Sequence, residues 1–425
     1  AWASMQHLKS TQLRSLTRRF IMGGLLVSVI MVFYCLSSPV QTNVISQASS
    51  CLQTQNESSN MSHKPWGQDS SCVPKTNLMF MKTHKTASST LLNILFRFGD
   101  KHHLKFALPD GRNDFFYPSF FLRSYVRDYS PGTCFNVVAN HMRFNRLELE
   151  QLLPPDAAFF TILRDPSEVF ESAFHYYHHV VPFTWFIPGE DKLRAFLEDP
   201  ARYYTSDGFN SFYLKNLLIF DFGYDNTLEA NDPGVTRAIH EVSERFQLVL
   251  LAEHFEESLI LLKDALCWEM EDLLFLKLNV RKGSSVSRLS PALRAKALQW
   301  NSADWRLYRH FNYSFWAKVE VYGRQRMEIQ VEELRRRNAE MRAICVEGGA
   351  AVESTGIKNT ELAPWQPMGE KSIMGYNLKK DIESQHAELC RKMLTPEIQY
   401  LTELGVNLWL TRLWGWLKDS VFWLT

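Results

Sequence analysis

Residues 82–90, Lys82-Thr83-His84-Lys85-Thr86-Ala87-Ser88-Ser89-Thr90, place two ammonium groups, an imidazole and five hydroxyls in one short stretch. The residues on either side say how such a stretch is held. Asn77 to Met81 is a short apolar run of interior-strand type, and Leu91, Leu92, Ile94, Leu95 and Phe98 recur at helical spacing. The reading is therefore strand, loop, helix. A loop that opens a helix presents unpaired backbone N–H groups and the positive end of the helix dipole. With lysine and hydroxyl donors added, it suits a phosphate or a sulfate. The alternative is an ordinary Ser/Thr helix cap flanked by solvated lysines.

A second anion signal lies in FFTILRDPSEVFESAFHYY. A strand from Ala158 to Leu163 ends at Arg164-Asp165-Pro166, and proline suits the first turn of a helix. Arg164 has the forked geometry to grip a phosphate, and Ser172, one to two turns on, adds a hydroxyl. A plain Arg164–Asp165 ion pair is the competing reading. Ligands of open α/β sheets collect at the carboxyl ends of strands, where both Lys85 and Arg164 fall. Two such loops imply a ligand with two separated phosphate-like groups.

Histidine is the side chain whose charge changes near neutral pH, which makes any histidine at this edge a candidate acid or base. His141, after the apolar run Phe135–Ala139, belongs at the same sheet edge, and His84 is its rival inside the loop. Tyr176, Tyr177 and Trp185 are aromatic candidates for lining a ligand pocket, although such runs more often belong to the core. The aromatic run from Arg112 to Phe121 is another source of such rings. The stretch from Arg281 to Arg288 is basic and contains Gly and Ser, and read alone it is a solvated surface loop.

The elements needed to position these groups alternate along the chain. After Ala158–Leu163 and the helix from Pro166 come a strand at Leu248–Ala252 and a helix at Ser258–Cys267. This predicts an α/β fold with a mainly parallel sheet and flanking helices. Arg324 to Cys345 reads as a charge-laced helix with an apolar stripe.

A net charge of +1 over 425 residues excludes binding nucleic acid by bulk charge, so any anion site is local. Residues 20–40 are uncharged and of bilayer-spanning length, preceded by Lys9, Arg14, Arg18 and Arg19, with no further Lys or Arg until Lys64. The positive-inside rule makes residues 1–19 a cytosolic tail and puts the rest on the far side, as in a single-pass type II protein. A cleaved signal peptide is the alternative. Residues 41–75, rich in Ser, Gln and Asn, form a stem; residues 76–404 form the folded body. Sequons at Asn56, Asn60 and Asn312 and six cysteines beyond the apolar stretch fit an oxidising, lumenal compartment. Residues 405–425 carry Trp409, Trp414, Trp416 and Trp423 among leucines, the pattern of an interfacial amphipathic segment or of a packed terminal helix.

The strings KTHKTASSTLLNILFRFG, NHMRF, LRDP, HYY, VPFTW and MLTPEIQYL together resemble the galactose 3-O-sulfotransferases, over most of the chain from about residue 76 onward. Among these enzymes the likeness is greatest to those that act on galactosylceramide. The resemblance implies a P-loop-like sulfotransferase fold and 3′-phosphoadenosine 5′-phosphosulfate as co-substrate, with no metal. It assigns Lys85, Thr86, Ala87, Ser88, Ser89 and Thr90 to the 5′-phosphosulfate, Arg164 and Ser172 to the 3′-phosphate, and the base role for a sugar hydroxyl to His141 or His84. It further implies that the Arg281–Arg288 loop closes the nucleotide site, with Arg288 as a contact, and that Tyr176, Tyr177 and Trp185 stack on the sugar. It also implies a Golgi membrane location, galactosylceramide and other galactolipids as partners beside the lipid bilayer, and room for a homodimer. A P-loop kinase would need the G-x-x-x-x-G that is missing before Lys85, and a metal-dependent glycosyltransferase an Asp-x-Asp site.

Overall fold

A computed structural model describes residues 72–369 and 371–422. The expected span at 20–40, the stem and the sequons at Asn56 and Asn60 lie outside these residues. Among the described residues, no helix is long and apolar enough to cross a membrane.

The core is a five-stranded, wholly parallel sheet in the order β2-β3-β1-β4-β5. The strands are β1 (Leu78–Met81), β2 (Phe106–Ala107), β3 (Val137–Val138), β4 (Ala158–Leu163) and β5 (Leu248–Leu251). β1, β4 and β5 are buried at every position, as a sheet covered on both faces requires. β3 is shorter than the apolar run Phe135–Ala139 predicts, because only Val137 and Val138 pair with both neighbours.

The helices that matter for the site are α1 (Ser88–Lys101), α2 (Pro166–Tyr177), the short α3 (Leu217–Asp221) and α4 (Phe255–Leu266). α5 (Ser302–Tyr322), α6 (Arg324–Cys345), α7 (Ser384–Leu394), α8 (Glu397–Glu403) and α9 (Trp409–Phe422) follow. α2 starts as the sequence requires: Asp165 caps it by accepting the Ser167 N–H at 2.9 Å, and Pro166 fills the first turn. α4 begins three residues earlier than predicted, at Phe255.

The chain leaves β1 toward the β2–β3 side and leaves β4 toward β5. The crevice between the carboxyl ends of β1 and β4 is therefore the topological switch point, where a ligand is expected. Two disulfides brace the surrounding helices. Cys72–Cys267 ties the start of the described chain to the end of α4, and Cys345–Cys390 joins α6 to α7. Cys134 is also disulfide-bonded.

Candidate active site

The loop between β1 and α1 is shaped by its own hydroxyls. Thr86 Oγ1 and Ser88 Oγ donate to the Thr83 carbonyl at 3.1 and 2.8 Å, and Thr83 Oγ1 meets Thr86 Oγ1 at 2.9 Å. Lys85 and Ala87 both take left-handed backbone conformations, each with φ of 61°. Such non-glycine conformations are uncommon, and alternation of this kind turns successive N–H groups toward one concave side, an anion nest. Thr86 and Ser88 thus brace the backbone of the loop. Ser89 Oγ reaches Glu397 at 3.4 Å, and Thr90 Oγ1 accepts the Leu278 N–H at 3.0 Å.

The two predicted anion loops meet. Arg164 Nη1 donates to the Lys85 carbonyl at 3.2 Å, while Nη2 pairs with Glu168 at 3.1 Å. Arg164 is thus part of the loop's scaffold and does not pair with Asp165. Ser172 is buried on the same helix, α2. One turn further on, the Tyr176 ring lies under the Lys85 ammonium, 3.7 Å from Nζ to centroid. Lys85 is half-buried in a ring of cations. Desolvation, followed by Arg281, Arg164 and Lys82, lowers its pKa to about 7.

The two candidate bases are face to face. The His84 and His141 rings stack at 4.0 Å with 13° between planes. His141 Nδ1 lies 3.1 Å from the Lys82 carbonyl. A carbonyl only accepts, so Nδ1 carries the proton and Nε2 keeps its lone pair. Burial, then Lys82 and His84, hold the His141 pKa well below the usual imidazole value, so the ring is neutral at physiological pH. His84 Nδ1 lies 2.8 Å from Asp221 Oδ1.

Asp221 and Glu397 are the acidic partners that sequence reading did not identify. Asp221, fully buried at the end of α3, also accepts the His84 backbone N–H at 2.8 Å and the Tyr117 hydroxyl at 2.8 Å. Its signal was a lone acid inside the apolar run LLIFDFG, since a carboxylate buried there must have partners. Glu397, first residue of α8, meets the buried Lys82 ammonium at 3.0 Å.

The predicted acceptor residues separate. Tyr177 stays in the cluster, stacked on Tyr213 at 3.8 Å and edge-on to His84 at 6.2 Å, with Tyr117 at 4.6 Å from His84. Tyr117 comes from the aromatic run 112–121, and Tyr213 was not singled out. Tyr176 is turned to Lys85. Trp185 is 38% exposed, and its indole N–H donates to the His179 carbonyl at 3.2 Å, tying it to the turn after α2. Arg288 is exposed on a loop that Arg281 anchors by pairing with the buried Glu171. Asn312 lies within α5, its amide 3.3 Å from the Tyr308 hydroxyl. Among the described residues, no three His, Cys, Asp or Glu side chains are grouped to hold a metal ion.

A family model described as galactose-3-O-sulfotransferase matches residues 3–408. The chain belongs to the galactose-3-O-sulfotransferase family. Galactosylceramide sulfotransferase from Bos taurus is 53% identical over 414 residues, covering 96% of this chain and 98% of the relative. The Mus musculus protein of the same name is 57% identical over 357 residues, 84% of each chain. Galactose-3-O-sulfotransferase 2 from Homo sapiens is 42% identical over 335 residues, 78% of this chain and 83% of the relative.

Proposed function

We propose that this chain is a galactosylceramide 3′-sulfotransferase. It moves the sulfuryl group of 3′-phosphoadenosine 5′-phosphosulfate to the 3-hydroxyl of galactose in galactosylceramide, and in related galactolipids such as lactosylceramide, making sulfatide. The observation that carries the reading is the Arg164–Lys85 carbonyl bond. It joins both anion loops into one cradle directly beside the histidine pair.

The cradle fits a doubly anionic nucleotide: a nest with Lys85 at one loop, Arg164 and Ser172 at the other. The donor, when bound, supplies an activated sulfuryl group on a phosphate leaving group. The chain's own residues do the rest. Loose, in-line transfer depends on positioning and charge stabilisation more than on covalent chemistry. Lys85, held against Tyr176, places positive charge where the leaving oxygen gains negative charge. A histidine of the stacked pair takes the proton of the galactose hydroxyl. Tyr177, Tyr213 and Tyr117 line the sugar side.

In this reading the enzyme is a single-pass type II protein of the Golgi membrane with a lumenal catalytic domain. The disulfides support an oxidising compartment. The apolar face of α9 rests on the lipid surface, with Trp409, Leu413 and Trp416 exposed at 56%, 39% and 64%. The test is transfer of labelled sulfate to galactosylceramide and to soluble β-galactosides. Labelling of soluble galactosides alone would favour oligosaccharide or glycoprotein termini as the acceptor.

A further inference from the structure

We infer that Asp221 is a positioning residue that fixes His84, rather than His141, as the proton acceptor of the sulfate-transfer step. The inference rests on the sulfotransferase reading above.

The geometry is specific. Asp221 is wholly buried, and its carboxylate takes three donors: His84 N–H on Oδ2, and His84 Nδ1–H and the Tyr117 hydroxyl on Oδ1, each at 2.8 Å. A carboxylate only accepts, so His84 carries a proton on Nδ1, and the neutral ring then has its lone pair on Nε2. Two of the three bonds come from the same residue, so backbone and ring of His84 are held together. The ring is enclosed by Tyr117, Tyr177, Tyr213 and His141, which leaves it little freedom to turn. Tyr117 in turn fixes the carboxylate.

The two histidines then differ in what faces them once charged. A proton on His141 would leave an imidazolium whose Nδ1–H meets only a neutral carbonyl, with Lys82 and Lys85 close by. A proton on His84 is matched at once by the Asp221 carboxylate. In the step itself, the galactose oxygen forms its bond to sulfur as its proton passes to His84 Nε2. The bond from sulfur to the leaving phosphate oxygen breaks, and that oxygen departs with the electron pair. His141, stacked on His84, completes the wall of the pocket and holds the ring plane.

Asparagine at 221 would keep the shape but present an amide N–H to His84 Nδ1, which favours the opposite tautomer and removes the Nε2 lone pair. The experiment uses the full chain in detergent, with galactosylceramide as acceptor and adenosine 3′,5′-bisphosphate as the calorimetric probe. Asp221→Asn is expected to lose about 10²-fold or more in kcat. The KM values and the bisphosphate affinity should stay within about threefold, as expected when only transition-state stabilisation is lost. Nitrogen-15 NMR should show His84 protonated on Nδ1 in the wild type and on Nε2 in the variant. A smaller kcat loss, or an equal loss of nucleotide affinity, would reduce Asp221 to a structural residue and overturn the inference. If the variant does not fold, the wild-type tautomer decides: Nδ1–H upholds the assignment and Nε2–H overturns it. Wild-type protein that transfers no sulfate would instead overturn the sulfotransferase reading, and this assignment with it.

Discussion

The ammonium of Lys82, at the carboxyl end of β1, meets the carboxylate of Glu397, the first residue of α8, at 3.0 Å. The residues are 315 positions apart, so the pair clips the C-terminal helices onto the anion loop. The two partners are not equally exposed. Lys82 is 2% exposed and Glu397 15%. Removing the carboxylate strands a buried cation, whereas removing the lysine leaves an acid that water can reach. Glu397→Gln should therefore cost about 3 kcal/mol and Lys82→Met distinctly less, read from urea unfolding. Equal costs would mean that the pair is solvated.

With Lys85 in the proposed donor cradle, nucleotide binding should depend on pH. Its pKa is lowered to about 7 by burial and by Arg281, Arg164 and Lys82. A bound polyanion favours the ammonium and raises that pKa, so binding takes up a proton above pH 7. Affinity for adenosine 3′,5′-bisphosphate should fall as pH rises from 7 to 9, approaching about tenfold per unit. Calorimetry in buffers of different ionisation enthalpy checks the proton uptake. Lys85→Arg should flatten the profile, because guanidinium stays charged throughout.

Much of this site was legible because its parts follow local rules. The apolar run before Lys82, the helical spacing after Thr90, and Asp165-Pro166 at the head of α2 are signals within a few residues of one another. They predict where β1, α1, β4 and α2 lie, and topology then brings Lys85 and Arg164 together. What sequence could not supply were partners distant along the chain. Asp221 reaches His84 across 137 positions and Glu397 reaches Ser89 across 308, with no periodicity to announce either. Nor does residue type reveal orientation: the hydroxyls of Thr86 and Ser88 turn inward to the Thr83 carbonyl.

The Cys345–Cys390 disulfide closes a separation of 45 residues and anchors α7, which leads directly into Glu397. Replacing both cysteines with alanine should cost about 4 kcal/mol from the restored freedom of the unfolded chain. Nucleotide affinity should fall as well if α8 loses its seat beside Lys82. Denaturation and calorimetry on the same variant separate the two effects, and unchanged stability would contradict the bracing role.

α9 offers a membrane test without touching the cleft. Trp409, Leu413 and Trp416 recur at i, i+4 and i+7, and all three are exposed. Changing Leu413 and Trp416 to serine should reduce activity on galactosylceramide in vesicles by about tenfold or more, given the apolar area withdrawn from the lipid. Activity on soluble galactosides should hardly change. Equal losses on both substrates would assign α9 to packing alone.

The most direct measurement is transfer of labelled sulfate to galactosylceramide in detergent micelles, comparing wild type with folded Lys85→Ala. The account predicts that the wild type labels the galactose 3-position and that the variant loses about 10²-fold or more of the rate, through lost charge stabilisation at the leaving oxygen. Wild-type protein that labels no galactoside, or a Lys85→Ala variant as active as wild type, would contradict it.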